Sequence, residues 1–284
     1  MDLEAVKFAG GVAVITGAGS GIGSGLARHA GAIGMTVVIA DMDGAAAEQV
    51  AAEIRASGGR AEAVVVDVAQ ASELDRLAEL VFARHGNVRL LVNNAGIETL
   101  GFTWEIPAER WERTLDVNLH GMIHGVRAFV PRMLESGEEG WIANLASVGA
   151  FGQMPGQTAY MITKHAAQSF SECLYLEMQV KGAPIHVASI IPASVKSAIF
   201  DPTNGEGESD FGSRQRHVMH QMLQAYGMEL GEAARVIFAG LARGDFWIST
   251  HPEVTRAMLA GRAAFFQSEA APTLTAETEA ILNG

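Results

Sequence analysis

Short apolar runs recur at wide intervals along this chain, with more polar segments between them. Most of the runs are continuously apolar and rich in β-branched residues, at positions 11–17, 36–41, 61–68, 89–96, 141–147, 185–192 and 246–250. Continuous apolar runs are typical of strands that are buried on both faces of a parallel sheet. The pattern therefore predicts a parallel sheet of about seven strands.

Helical patterns lie between the apolar runs. In segment 71–84, Leu74, Leu77 and Val81 fall on one face of a helix, and segment 44–56 has a similar apolar face. Strands that alternate with helices form βαβ units, which build a doubly wound sheet with helices on both faces. Because the sequence shows no linker and no internal repeat, we expect a single α/β domain of the Rossmann type over residues 1–284.

Two stretches depart from this alternation. Residues 201–213, DPTNGEGESDFGS, are rich in glycine and acidic residues and predict an irregular loop. We expect the wider segment 195–225 to be a mobile loop at a substrate site. Residues 268–284 are expected to form a weakly patterned C-terminal tail.

Composition and charge argue against several classes of protein. Hydrophobic residues make up 49% of the 284 residues, which is enough for a full core and argues against global disorder. The formal net charge of −12 argues against a sequence-independent nucleic-acid binder, which needs Lys and Arg to displace counterions. No apolar run is long enough to span a membrane, and the first residues lack the apolar segment of a secretory signal. We expect a soluble cytoplasmic protein that binds neither nucleic acid nor membrane.

The single cysteine and the paired histidines carry no predicted chemistry. Cys173 falls within an apolar helical pattern, so we expect a buried, inert thiol. His120 and His124, and likewise His217 and His220, have a spacing that suits a metal ion. The sequence places no cysteine or carboxylate partner beside them, and we predict no metal site.

The first predicted strand continues directly into TGAGSGIG at positions 16–23, and a helical pattern follows. Gly17, Gly21 and Gly23 allow a tight turn and a close approach of the backbone to a pyrophosphate at the helix N-terminus. The second strand ends at Asp41, whose carboxylate can accept hydrogen bonds from ribose hydroxyls and would repel a 2′-phosphate. No Lys or Arg lies in the turn or directly after Asp41. The pattern predicts NAD rather than NADP, with a solvated strand-end acid as the alternative interpretation of Asp41.

Further motifs follow the turn. They are the pair Asp67 and Val68, NNAG at 93–96, Asn118 within VNLHG, Ser147 at the end of the fifth strand, and Tyr160 with Lys164 in YxxxK. With TGxxxGxG, these motifs resemble the short-chain dehydrogenase/reductase family over about residues 8–250. Two positions depart from the family pattern: Ala193 follows Pro192 where glycine is usual, and Ser197 stands in place of threonine.

Tyr160 and Lys164 lie one helical turn apart on the same helix face. Chance pairing on an amphipathic helix is one interpretation. The chemical interpretation is that a cation lowers the pKa of a nearby phenol and makes it a usable acid and base. The resemblance implies that Tyr160 exchanges a proton with the substrate, while Lys164 also holds the nicotinamide ribose. It further implies that Ser147 binds the reacting oxygen, and that Asn118 holds a water that links the lysine to solvent.

The turn and the resemblance together imply a cofactor-binding set. Beside Tyr160 and Lys164 it comprises Gly17, Gly19, Ser20, Gly21, Ile22, Gly23, Asp41, Met42, Asp67, Val68, Asn94, Ala95, Gly96, Pro192, Ala193 and Val195. Ligands of a doubly wound sheet bind beyond the carboxyl ends of its strands. We therefore expect the substrate to contact Ser147, Val148, Phe151, Met154, Tyr160 and Ser194.

The expected substrate positions are mostly apolar, and no Arg or Lys among them can grip a carboxylate or a phosphate. We therefore expect a hydrophobic secondary alcohol or its ketone. Glu98, which follows NNAGI, is expected to be a solvated residue at the rim. The resemblance also implies a homodimer or homotetramer, formed through the helix before residue 135 and the helix near Tyr160. The small residues Ala159, Ala166 and Ala167 are compatible with close packing there.

The leading prediction is an NAD-dependent oxidoreductase that acts on CH–OH groups. One alternative is an NADP-linked ketone reductase, against which Asp41 argues. Another is a non-catalytic NAD-sensing protein, against which the intact set of Asn118, Ser147, Tyr160 and Lys164 argues.

Overall fold

The computed structural model describes residues 3–283, which contain a seven-stranded parallel sheet. The strands are β1 (Val12–Thr16), β2 (Thr36–Asp41), β3 (Arg60–Val65), β4 (Leu90–Asn93), β5 (Gly140–Leu145), β6 (Ile185–Ile191) and β7 (Trp247–Ser249). Their spatial order is β3-β2-β1-β4-β5-β6-β7, with every neighbouring pair parallel. The prediction of a single-domain, doubly wound α/β sheet is confirmed.

Helices connect the strands and cover both faces of the sheet. They are α1 (Leu3–Phe8), α2 (Gly21–Ala32), α3 (Gly44–Ala56), α4 (Ala71–His85), α5 (Ala108–Leu115), α6 (Gly121–Ser136), α7 (Thr158–Lys181), α8 (Asp210–Tyr226), α9 (Leu230–Arg243), α10 (Pro252–Ser268) and α11 (Ala276–Asn283). A π-helix, Asp116–His120, joins α5 to α6, and single 3₁₀ turns lie at Val148–Ala150 and Pro202–Gly205.

Two apolar layers hold the sheet between the helices. Successive side chains of a strand point to opposite faces. Ile15 and Ile39 therefore pack in one buried cluster with apolar residues of α1, α2, α3 and α9. Val14 and Val38 pack on the other face with apolar residues of α4, α6 and α7. Burial on both faces fixes where the strands end, and thus where the loops that carry the motifs begin.

The direction of winding reverses at β1. The chain builds β2 and β3 on one side of β1 and then returns to place β4 on the other side. The loops that follow β1 and β4 diverge, and a crevice opens between them at the carboxyl ends of the strands. TGAGSGIG follows β1 and NNAG spans the end of β4, so both motifs border this crevice.

Some predicted local features differ in the structure. The prediction for Cys173 was wrong: its side chain is exposed, because it lies off the α7 face that buries Ala167, Ser171, Leu174 and Met178. Segment 201–213 contains the 3₁₀ turn Pro202–Gly205 and the first residues of α8. None of the helices within residues 3–283 combines the length and the apolar character needed to cross a membrane.

Candidate active site

The turn after β1 is a cradle that only glycine fits. Gly17 and Gly21 adopt positive φ angles of 62° and 51°, a region that favours glycine. A Cβ placed at Gly23 would come within 3.0 Å of the side-chain nitrogen of Asn94 and the backbone oxygen of Gly17. Because α2 begins at Gly21, its free N–H groups and positive dipole end face the crevice.

Asn94 ties the loop after β4 to this turn. Its Nδ2 donates to the backbone oxygens of Thr16, at 2.7 Å, and Gly17, at 2.9 Å. Its backbone N–H donates to Thr16 Oγ1 at 3.0 Å. These bonds hold the glycine turn in one conformation before any ligand binds.

Asp41 lies beside the turn at the end of β2. Its Oδ2 accepts from the backbone N–H of Gly19 at 2.8 Å, and its Oδ1 accepts from that of Asp43 at 3.0 Å. These bonds hold the carboxylate at the edge of the crevice, which it lines together with Met42.

The structure brings a cation to this end of the crevice, which the sequence analysis missed. Arg113 of α5 donates to both carboxylate oxygens of Asp67, at 2.9 and 3.2 Å, and approaches Met42 Sδ at 3.6 Å. Arg113 lies 46 residues after Asp67, so no local signal placed it there. The charge balance beside Asp41 is therefore less negative than the sequence suggested.

Tyr160 and Lys164 lie one turn apart on α7, as their spacing predicted. Lys164 Nζ stands 5.4 Å from the centre of the Tyr160 ring and donates to the backbone oxygen of Leu145 at 2.8 Å. Burial lowers the pKa of the Lys164 ammonium to about 8, and the Glu98 carboxyl opposes that shift.

The pKa of Tyr160 is shifted in the opposite direction from the shift that a neighbouring cation alone would cause. Burial raises the pKa of its phenol, the nearby Glu98 carboxyl raises it further, and a hydrogen bond with Ser147 lowers it. Desolvation therefore outweighs any benefit that the phenol draws from Lys164, and Tyr160 is held as a neutral donor. A phenolate needs further positive charge to be brought into the site.

Ser147 and Asn118 reach the same region from different elements. Ser147 follows β5 and caps the 3₁₀ turn, where its Oγ accepts from the backbone N–H of Gly149 at 3.0 Å. Asn118 lies in the π-helix, a feature that often marks functional sites. Its side chain donates to the backbone oxygen of Ile97, at 2.9 Å, and to Thr163 Oγ1, at 3.2 Å. Its Oδ1 accepts from the backbone N–H of Ile97 at 2.8 Å.

A cavity of about 830 Å³ extends from the glycine turn to α7 and α10. All members of the predicted cofactor set line it except Gly19 and Gly23. Ser147, Val148, Met154 and Ser194 of the substrate set also line it, and so does Ser197, which lies beside Gly21. Asn118 is not among the residues that line the cavity.

The predicted position of Phe151 differs from the observed one. Phe151 is buried in a small apolar cluster with Ala146, Ala150 and Ile191, and its ring stacks on Trp247 with centres 5.5 Å apart. In its place α10, which is far along the chain, contributes Val254 and Met258 to the cavity wall. Met161, Ile199, Phe200, Met219 and Leu223 complete the part of the cavity away from the glycine turn, here called the substrate half because the substrate is expected there.

Glu98 is not the solvated rim residue that the sequence suggested. Only 4% of its surface is exposed, and both carboxyl oxygens are buried without a hydrogen-bond partner among residues 3–283. Burial raises the pKa of the Glu98 carboxyl well above its usual value, although Arg216 and Lys164 oppose the shift. Burial therefore favours the neutral form of this carboxyl, which lies in the same cavity wall as Tyr160 and Lys164.

A buried ion pair closes the substrate half. Arg216 of α8 pairs with both oxygens of Glu208 and donates to the backbone oxygens of Ile199, at 3.0 Å, and Glu98, at 2.9 Å. Glu208 also accepts from the backbone N–H of Leu100 at 3.0 Å. The segment before α8 is thus joined to the loop after β4 through fully buried charges.

The predicted histidine pairs show no arrangement for a metal. Within residues 3–283, no three His, Cys, Asp or Glu side chains come together as a possible metal site. His120 Nδ1 instead forms a hydrogen bond with Asp116 at 2.7 Å.

Comparison with known proteins places this geometry in a family. The model of the short chain dehydrogenase family matches residues 11–207. The chain is 37% identical over 218 residues to the probable oxidoreductase EphD of Mycobacterium tuberculosis; the match covers 75% of this chain and 36% of that longer protein. It is 36% identical over 195 residues to the 1-deoxy-11-beta-hydroxypentalenate dehydrogenase of Streptomyces arenae, covering 66% of this chain and 68% of that one.

Solved structures agree on the fold and differ in cofactor. A short-chain dehydrogenase/reductase of Burkholderia phymatum in complex with NAD superposes with a TM-score of 0.90 at 32% identity, over 95% of this chain and 98% of that one. A metagenomic short-chain oxidoreductase in complex with NADP gives a TM-score of 0.69 at 26% identity, over 86% of this chain and 96% of that one.

Proposed function

This chain belongs to the short-chain dehydrogenase family, and we propose that it transfers a hydride between NAD(H) and a hydrophobic secondary alcohol or its ketone. The observation that carries the proposal is the meeting of Ser147, Tyr160 and Lys164 in one cavity with the glycine turn. A cradle for a pyrophosphate and a proton-exchanging phenol in one cavity suit this reaction class.

The residues present fit a nicotinamide dinucleotide. The glycine turn and the N-terminus of α2 would hold its pyrophosphate, and Asp41 would accept from its adenosine ribose hydroxyls. The Lys164 ammonium donates one hydrogen bond to the backbone oxygen of Leu145, and its other N–H groups could donate to ribose hydroxyls. When bound, the cofactor supplies the hydride acceptor or donor that the protein side chains lack.

The proton is handled by the protein. In the oxidative direction the Tyr160 phenolate takes the hydroxyl proton of the alcohol as the carbonyl forms, and in reduction the phenol returns it. Proton uptake by Tyr160 would require its raised pKa to fall, and the ammonium of Lys164 together with the positive charge that an oxidised cofactor would bring would favour the phenolate. Ser147 donates to the reacting oxygen and stabilises the charge that develops on it.

NAD is proposed over NADP because the carboxylate of Asp41 is fixed at the crevice edge by two backbone N–H groups. A 2′-phosphate placed there would meet a negative charge. Arg113 is the observation that favours the second candidate, an NADP-linked ketone reductase, although Asp67 already neutralises its guanidinium.

The substrate is proposed to be apolar because the far half of the cavity is formed by Met154, Ile199, Phe200, Met219 and Leu223. Methionine side chains adapt their shape to an apolar ligand. Arg110 also lines the cavity, but its guanidinium donates to the backbone oxygen of Glu206 and to the Glu208 carboxylate.

A moving loop and an oligomer remain proposals. Segment 201–213 would close over substrate, and the Arg216–Glu208 pair would anchor its C-terminal end; unchanged proteolysis of the loop with ligands bound would contradict this.

A dimer through α6 and α7 is supported by exposed Ile123, Ile162, Leu176 and Val180. The small residues expected there do not all contribute, because Ala159 and Ala167 are buried within the chain itself. Analytical sedimentation measures the oligomeric state of the protein in solution.

The proposed function is tested by the absorbance of reduced nicotinamide. A panel of hydrophobic secondary alcohols is supplied with NAD or NADP, to the wild type and to Tyr160→Phe. We expect NAD-dependent turnover, and a loss of at least about a hundredfold in Tyr160→Phe with cofactor binding retained. Turnover that survives the loss of the phenol oxygen, or cofactor binding without turnover of any alcohol or ketone, would contradict the proposal.

A further inference from the structure

The buried carboxyl of Glu98 destabilises the folded protein, and its surroundings do not offset this loss of stability. A buried polar group without a hydrogen-bond partner destabilises the folded state, and such groups are rare in native structures. The Glu98 carboxyl has no such partner among the described residues, because Arg216 donates to the Glu208 carboxylate and to the backbone oxygens of Ile199 and Glu98. A role in ligand binding would explain why the carboxyl is there.

The location of Glu98 favours contact with the substrate. Glu98 is part of the cavity wall that also contains Ser147 and Tyr160, and its carboxyl influences both Tyr160 and Lys164 electrostatically. The same wall also contains the apolar residues Ile199 and Phe200. The glutamate side chain has three rotatable bonds, so a change of rotamer can present the buried carboxyl to a bound molecule.

The charges around Glu98 define the ligand group. Lys164 and Arg216 oppose a cationic ligand, while Glu208 and the dry surroundings oppose a second carboxylate. A neutral carboxyl group both donates and accepts a hydrogen bond. Its complement is an uncharged oxygen function, a hydroxyl or a carbonyl.

We propose that Glu98 hydrogen-bonds a second oxygen function of the substrate and thereby selects bifunctional apolar molecules (diols, hydroxyketones or diketones) over their singly oxygenated analogues. This inference rests on the proposed function and refines its substrate class. Glu98 determines specificity, while proton exchange stays with Tyr160.

Matched pairs of compounds test the proposal. Cyclohexanol is compared with each positional isomer of cyclohexanediol, and cyclohexanone with the corresponding diones, so that the hydroxyl and carbonyl cases are separated. The wild type should prefer the best doubly oxygenated member by at least about tenfold in kcat/KM. Glu98→Leu should bring this ratio close to one, and Glu98→Gln should retain part of it because an amide also donates and accepts.

Two further measurements test whether altered stability or altered packing could explain the result. Glu98→Leu should unfold at a higher temperature than the wild type, because a buried unpartnered carboxyl is removed. Met178→Leu, which changes a buried apolar residue outside the cavity to one of similar volume, should leave the ratio unchanged. A wild type without preference for any doubly oxygenated member, or a preference that persists in Glu98→Leu, overturns the assignment.

Binding measurements distinguish a failure of this inference from a failure of the proposed function. The same pairs are titrated calorimetrically into Tyr160→Phe enzyme with NAD, where contact is measured without reaction. If no alcohol is turned over by the wild type, the proposed function fails, whereas tighter binding of the diol that disappears in Tyr160→Phe/Glu98→Leu still supports the role of Glu98. Equal binding of both members of every pair overturns that role even if turnover is observed.

Discussion

The expected cofactor half of the cavity, around the glycine turn, and the expected substrate half, around α8, differ in how their polar groups are satisfied. Around the glycine turn, Thr16, Asn94 and Asp41 each bond to the backbone of a neighbouring strand or loop. Around α8, the Glu98 carboxyl has no hydrogen-bond partner in the part of the chain that the structure describes, and the adjacent Arg216–Glu208 pair is buried.

The difference reflects what each half must do. A cradle for a cofactor works best when it is rigid before binding, because no ordering free energy is then lost. A substrate pocket must discriminate, and unsatisfied polar groups reject molecules that cannot satisfy them. Such groups reduce stability, and natural proteins commonly accept that loss at functional sites.

The largest expected effect is in the substrate half. Arg216→Met leaves the Glu208 carboxylate buried with the Leu100 backbone N–H and the partly exposed Arg110 as its described partners, and should lower the free energy of unfolding by about 3 to 5 kcal/mol. Arg243→Met, which removes an exposed pair with Asp245, is the matched control and should cost less than about 1 kcal/mol. Urea denaturation measures both, and equal losses would show that the buried pair does not hold this half together.

Lys164 lines the cavity, and its burial predicts that the stability of the folded protein depends on pH. The pKa is about 8 in the folded protein against 10.5 for a free lysine, so the unfolded chain binds more protons between these values. Wild-type stability should therefore gain from this group as the pH rises from 8 to 10.5. Below pH 8 the charged, buried ammonium costs about 3 kcal/mol at most.

Lys164→Met should accordingly be more stable than the wild type at pH 7, and its advantage should shrink towards pH 10.5. Lys181→Met, at the exposed end of the same helix, should show no such change with pH. Denaturant titrations across this range measure both differences. A constant difference for Lys164→Met would mean that the ammonium is not desolvated.

The rigidity of the cofactor half predicts a steric effect. Gly23→Ala forces a Cβ against Asn94 and Gly17, and overpacking of this kind costs about 1 to 3 kcal/mol, or about five- to a hundredfold in NAD affinity if the turn yields. Gly231→Ala is the control, because a Cβ in that part of α9 meets nothing within 4 Å. Fluorescence titration with NAD distinguishes them, and unchanged affinity in Gly23→Ala would show that the turn is adaptable.

The smallest expected effect concerns the choice of cofactor. Asp41→Ser removes the charge that faces a 2′-phosphate and should shift the NADP-to-NAD preference by about tenfold towards NADP. Arg113→Gln should weaken NADP binding to that variant if the guanidinium receives the phosphate. Initial rates with both cofactors at two salt concentrations measure the shift. A wild type that already prefers NADP would contradict the interpretation of Asp41.

The sequence by itself determined the elements and the chemistry that depend on near neighbours. Apolar runs predicted all seven strands to within a few residues, and glycine spacing predicted the turn after β1. The spacing of Tyr160 and Lys164 was sufficient to place them on one face of α7. These features follow from local periodicity and backbone freedom, which a few consecutive residues define.

Tertiary structure decided the features that depend on distant packing. The apolar run of β3 belongs to a partly exposed edge strand, and Phe151 packs against Trp247 rather than the cavity. Arg113 reaches Asp67 across 46 residues, and Arg216 reaches Glu98 across 118 residues. Burial and charge environment are properties of the assembled layers, so the raised pKa values of Tyr160 and Glu98 arise only when α7, α8 and the loop after β4 come together.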